Sequence, residues 1–192
     1  YFLFVTIHDV TDFSAAMLRL DARMGRSSRR GREPQEPSLL FLLKTLVPRR
    51  AIHERNTVSY LTLVSWRQAI RSYQIEALKA LKQNIPAELP ATVAKAMAAD
   101  INGLVGASAF RAVVPMPCSH SDAASCLSRE IARALGAELD LPVVAALSAG
   151  LQQGASHPKK NVRRPPMKLI DKVPGPVILV DDVATSGAHV EE

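Results

Sequence analysis

The run Pro176-Val177-Ile178-Leu179-Val180 leads directly into Asp181-Asp182. Successive side chains of a strand point to opposite faces, so an unbroken apolar run has both of its faces apolar. Such a strand is stable only when both faces are covered, the condition of a strand inside a parallel sheet flanked by helices. It also delivers two adjacent carboxylates to the edge of that sheet. The preceding chain repeats the pattern. Ala112-Val113-Val114-Pro115-Met116-Pro117 is a short apolar strand stopped by proline, and Leu141–Leu147 is a second candidate. Between them, Ala124, Leu127, Ile131 and Leu135 predict a helix over Asp122–Leu135, ended by Gly136. Residues 108–192 therefore read as α/β, with ligands expected beyond the carboxyl ends of the strands.

The first half is less regular. Phe2–Ile7 is a strand candidate, and about Asp12–Met24 a short amphipathic helix. Residues 25–38 carry Gly, Ser, Pro and charge with no apolar side chain, and read as a linker. Leu39–Leu46 reads as an apolar helical segment closed by Pro48, and Thr57–Ser65 as a β-branched strand. Over Trp66–Lys82, Ile70, Tyr73, Ala77, Leu78 and Leu81 keep helical spacing, with Lys79 and Lys82 near the C-terminal end of the helix dipole. Pro90 suits the first turn of an Ala-rich helix over Ala91–Leu104. Three segments result: 1–37, an N-terminal segment and linker; 38–107, a hood-like region; and 108–192, the α/β core.

Composition narrows the class. With 192 residues, 47% of them hydrophobic and 22% charged, the chain is neither disordered nor an acidic solvating segment. No apolar run approaches the length of a membrane-spanning helix. Two cysteines are too few for a disulfide framework, so reduced thiols and a cytoplasmic location are expected. The net charge of +6 is concentrated between Lys44 and Arg111 and in Lys159, Lys160, Arg163, Arg164, Lys168 and Lys172. The second group, interrupted by Pro165-Pro166, reads as a mobile basic loop: a solvated face, or a site for phosphates or a nucleic-acid backbone.

The chemistry concentrates at the end of the sequence. After Asp181-Asp182 come Val183-Ala184-Thr185-Ser186-Gly187-Ala188-His189, a small, hydroxyl-rich turn that opens a helix. Free N–H groups at a helix start bind phosphate, hydroxyls add donors, and Gly187 lets the backbone approach closely. Two carboxylates accept hydrogen bonds from a vicinal diol. A phosphate site beside a diol site is the footprint of a ribose 5-phosphate. An apolar strand ending in Asp-Asp also occurs in P-loop NTPases, but these need an upstream G-x-x-x-x-G-K-[ST], and none is present.

This segment resembles the PRPP-binding motif of type I phosphoribosyltransferases, in which four apolar residues precede two acids and a Thr/Ser-Gly loop. Ala184 is smaller than the aliphatic residue usual there, and His189 stands where a small hydroxyl residue is common. Upstream, Ile75–Lys82, Val113–Pro117 and the helix with Leu127 and Ile131 resemble the ComF-like competence-protein group. That group's Arg-Gly-Phe-Asn-Gln stretch and four-cysteine zinc ribbon are absent. The resemblance implies a parallel-sheet type I phosphoribosyltransferase fold, Rossmann-like, and a Mg2+-dependent transfer of the phosphoribosyl group from PRPP to a nitrogen nucleophile with release of pyrophosphate.

Several site expectations follow from it. Asp181 and Asp182 hold the ribose hydroxyls and share Mg2+ with the substrate, and are the expected catalytic residues. Ala184, Thr185, Ser186, Gly187, Ala188 and His189 bind PRPP through its 5-phosphate. Cys118, Ser119, His120 and Ser121 face the pyrophosphate, although Ser119 or Ser121 also reads as a helix N-cap. Cys118, His120 and Cys126 as a metal cluster match no standard zinc spacing. Lys159, Lys160 and Arg163 form a mobile basic lid. The expected partners are PRPP, an unidentified nitrogen acceptor, a second copy of the chain as a homodimer and, secondarily, nucleic acid. Because Glu192 falls where the post-loop helix has barely begun, the sequence is expected to be a fragment, lacking both its start and the last part of its core. Two rivals stand beside this reading: a ComF-like DNA-uptake protein with a vestigial PRPP site, and a regulator that senses PRPP without turnover.

Overall fold

The computed structural model describes residues 2–5, 46–55, 58–66, 72–117, 126–148, 167–173 and 175–182. In chain order these form β1 (Phe2–Val5), β2 (Leu46–Arg55), β3 (Val58–Trp66), α1 (Ser72–Gln83), α2 (Glu88–Leu104), a 3-10 turn at Ala107–Ala109, β4 (Ala112–Pro115), α3 (Leu127–Leu139), β5 (Leu147–Ser148), β6 (Lys168–Leu169) and β7 (Val177–Val180). The protein is mixed α/β. Five strands make one sheet in the order β2-β3-β1-β7-β4, and β5 pairs with β6 in a separate two-stranded ladder.

The sheet is parallel from β3 through β1 and β7 to β4, as the apolar runs predict. It departs from a wholly parallel sheet at β2, which runs antiparallel to β3. Only residues 56–57 separate these two strands, too few for a crossover, so the chain can only fold back as a hairpin. β1, drawn from the first residues, lies between β3 and β7: Phe2 registers with both Ser59 and Ile178.

One core holds the sheet to its helices. Leu61 and Leu63 of β3, Val113 of β4 and Ile178 and Val180 of β7 pack with Val93, Met97 and Ile101 of α2 and with Ile131, Leu135 and Leu139 of α3. The four-residue spacing on each helix keeps these side chains on one stripe. Leu63, Val113, Leu135, Ile178 and Val180 are fully enclosed, and truncating such a residue to alanine costs about 3 kcal/mol.

Four local expectations need correction. Pro48 does not close a helix; it lies inside β2, together with Leu46 and Val47. Proline is tolerated there because β2 is the last strand of the described sheet and its register shifts between Pro48 and Ala51. Trp66 belongs to β3, and the helix expected from it begins at Ser72. Gly136 does not end α3, which continues to Leu139 and closes on Asp140 with a left-handed φ of 53°. Glycine is needed at 136 for proximity: a Cβ there would lie 2.5 Å from Val143 Cγ2 and 2.8 Å from the Leu141 carbonyl oxygen. The strand expected over Leu141–Leu147 is reduced to a parallel bridge between Val113 and Val143, with Leu147 in β5. Pro142 has no N–H to extend that ladder, although its carbonyl accepts from the Val113 N–H at 2.9 Å. Among the described residues, no helix is long and apolar enough to cross a membrane.

Candidate functional site

The carboxyl end of β7 brings the expected acidic pair into a defined setting. Pro115 registers with Val180, and the Met116 N–H donates to the Val180 carbonyl at 2.8 Å, the last rung before the chain leaves the sheet. On the far side of Met116, the buried Ser128 hydroxyl donates to the Met116 carbonyl at 2.8 Å. The first turn of α3 is thus tied to β4, and β4 to β7, at the level where Asp181 begins. The Asp182 N–H donates to Asp181 Oδ1 at 2.8 Å, which fixes one carboxylate against the turn.

The other carboxylate meets a residue that sequence reasoning assigned only to a helix end. Lys82 Nζ lies 2.6 Å from Asp182 Oδ2; the lysine side chain is 39% exposed and the aspartate 11%. Lys82 occupies the last turn of α1. Ala77 is buried, and Leu81 and Ile85 pack against the core, which anchors the end of α1 beside the sheet. Roughly one hundred residues separate Lys82 from Asp182 in sequence, and no spacing pattern could announce the pair.

Burial pushes the Asp181 carboxyl up to about 7, and the negative charge of Asp182 pushes the same way. The Asp182 N–H and the Lys82 ammonium oppose that rise and are outweighed. A carboxyl that titrates near neutrality can accept or donate a proton at physiological pH, a property common in functional sites. Asp182, paired with a cation, is the natural partner for hydroxyl donors.

The donor set also suits a hard divalent cation. Mg2+ is usually held by one or two protein carboxylates, with water and substrate phosphates filling the remaining positions. Two adjacent aspartates, one already carrying an ammonium, match that description. Among the described residues, no group of three or more His, Cys, Asp or Glu side chains could hold a metal by itself.

Cys126 precedes α3 and is disulfide-bonded, which corrects the expectation of reduced thiols. Its sulfur therefore cannot be a thiolate ligand. The Ser128 hydroxyl sends its proton to Met116, leaving the 3.1 Å contact between Cys126 Sγ and Ser128 Oγ as packing. Lys168 and Lys172 of the basic run are exposed. Ala184, Thr185, Ser186, Gly187, Ala188, His189, Cys118, Ser119, His120, Ser121, Lys159, Lys160 and Arg163 lie outside the described residues.

A second carboxylate was not anticipated. Asp100 on α2, 6% exposed, pairs with Arg50 of β2 at 2.5 Å, and its Oδ2 is buried with no hydrogen-bond partner among the described residues. Burial raises its pKa, and Arg50 pulls it back. The pair lines a cavity of about 230 Å³ with Ile52, Leu61 and Leu104. Neither Lys82 nor the acidic pair lines that cavity.

Compared with known proteins, the chain matches no family model, no curated protein and no solved structure.

Proposed function

We propose that the protein binds PRPP with Mg2+ on a type I phosphoribosyltransferase fold and transfers the phosphoribosyl group to a nitrogen nucleophile. The observation that carries this reading is the acidic pair at the carboxyl end of β7, between two parallel neighbours, with Asp181 held near neutrality and Asp182 facing Lys82. A ligand crossing the ends of parallel strands meets its polar contacts in that position. The hydroxyl-rich stretch Thr185-Ser186-Gly187 that follows in sequence carries donors for a phosphate.

In this reading Asp181 and Asp182 accept hydrogen bonds from the ribose hydroxyls and hold the sugar in one orientation. Lys82 balances their charge. The bond from C1 to the diphosphate oxygen breaks, a bond from C1 to nitrogen forms, and the nitrogen gives up a proton. Mg2+, when bound, supplies charge neutralisation for the leaving pyrophosphate. The protein's share is positioning and electrostatic stabilisation, the main resources for a transition state of oxocarbenium character.

Calorimetric titration of the whole chain with Mg-PRPP tests the reading. Saturable binding is expected, and it should be lost in the variant carrying both Asp181→Asn and Asp182→Asn. Absence of binding by the folded wild type would rule out both a transferase and a PRPP sensor. Salt-dependent DNA binding that survives the double substitution would favour the competence-type alternative.

A further inference from the structure

Lys82 and Asp182 form a contact whose purpose is not exhausted by stability. Asp182 is largely shielded from water and sits beside a second carboxylate, so it needs a counter-charge. The charge it receives is an ammonium on a flexible four-carbon stem, more than a third exposed, rather than a guanidinium fork fixed by two hydrogen bonds. Such a cation can leave without unpacking the core. At the same time, among the described residues no third His, Cys, Asp or Glu joins the two aspartates to complete a metal site, and one of the two already holds a positive charge. A free divalent ion would have to approach that ammonium and displace it with few protein ligands in return.

We propose that Lys82 is an internal counter-cation that closes the Asp181–Asp182 pair to free divalent ions and opens it to an ion arriving with a phosphorylated ligand. The ligand's phosphate oxygens give the ammonium a new anionic partner as it leaves Asp182. The inference rests on the reading of the pair as a Mg-PRPP site and adds an order of binding set by the protein: the ion enters with the ligand and not ahead of it.

Mn2+ replaces Mg2+ in the test because the free ion is counted directly by electron paramagnetic resonance. The whole chain should bind free Mn2+ weakly and take it up with PRPP. Lys82→Met should bind free Mn2+ about tenfold more tightly without any ligand, the scale expected from removing a like charge a few ångströms away in a partly exposed site. Lys82→Arg should remain closed, and adding Asp182→Asn to Lys82→Met should erase the gain. Lys82→Gln reads the same effect with a side chain that still hydrogen-bonds Asp182, should the methionine variant fail to fold. The proposal is overturned if neither neutral variant gains affinity for free Mn2+, or if the wild type binds PRPP and yet binds Mn2+ as tightly without PRPP as with it. Failure of the phosphoribosyl reading would look different: no PRPP binding by the wild type, with the gain of Lys82→Met intact.

Discussion

Among the described residues, two carboxylates shielded from water each face a basic side chain, in contrasting settings. Asp100 pairs with Arg50 across the gap between α2 and β2, at 2.5 Å, and its second oxygen is buried with no partner among the described residues. Asp182 pairs with Lys82 at 2.6 Å, but it stands at a strand exit next to a further carboxylate. The first pair is a clasp: one buried acid and one guanidinium holding the antiparallel hairpin against its helix. The second is an unbalanced set, two acids to one ammonium; burial, and after it the charge of Asp182, pushes Asp181 up to about 7. The two pairs have nearly the same length and differ in the surplus carboxylate beside the second.

That contrast can be broken or sharpened by substitution. The largest effect is expected at the second pair: Asp182→Asn should weaken Mg-PRPP binding about a hundredfold, as when a charge-assisted contact becomes neutral, with folding stability much less affected. Isothermal calorimetry beside a urea titration separates the two quantities. At the clasp the order should invert. Arg50→Met leaves a buried acid uncompensated and should cost about 2 kcal/mol of stability, below the usual range for buried pairs because Arg50 is 43% exposed. PRPP affinity should not change. Replacing both members, Arg50→Met with Asp100→Leu, should restore or exceed the wild-type urea midpoint, and a double variant less stable than Arg50→Met would show that the pair is more than a clasp.

Asp181 gives a smaller effect with a defined sign. Its folded-state value lies above the ordinary 3.8, so folding takes up a proton between about pH 4 and pH 7, and stability falls as pH rises through that window. Asp181→Asn keeps the acceptor for the Asp182 N–H and removes the titration. The variant should match the wild type near pH 4 and gain on it progressively as pH rises toward 7, in thermal melts across the range. The smallest effect is expected at the exposed pair Glu130–Arg133, 2.8 Å apart one turn along α3. Arg133→Ala should change stability by only about 0.3 kcal/mol, a baseline for the other two pairs.

The sequence was readable where a segment's own residues decided its fate. Val177–Val180 and Ala112–Pro115 are wholly apolar and short, and they are strands for that reason. The acidic pair followed directly, since it is contiguous with β7. What escaped depended on partners far along the chain. Lys82 looked like a helix-end cation because nothing local distinguishes it from Lys79. Pro48 looked like a stop because local propensity weighs proline against regular structure, whereas an outer strand with a register shift accepts it. Gly136 looked like a helix end because its isolated meaning is freedom, and its actual use is the approach of Val143. The place of β1 inside the sheet belongs to the same class: four apolar residues announce a strand but not its neighbours.

The hydrogen bond from Ser128 to the Met116 carbonyl has one more implication, for engineering. Met116 and Ser128 bracket residues 118–125, and the two posts are fastened to each other and, through the Met116 N–H, to β7. Whatever is spliced between them, the sheet receives the same two anchor points. Any graft into that interval has to spare Cys118, the other cysteine of the sequence, because Cys126 is disulfide-bonded, and Ser119, His120 and Ser121, the expected pyrophosphate contacts.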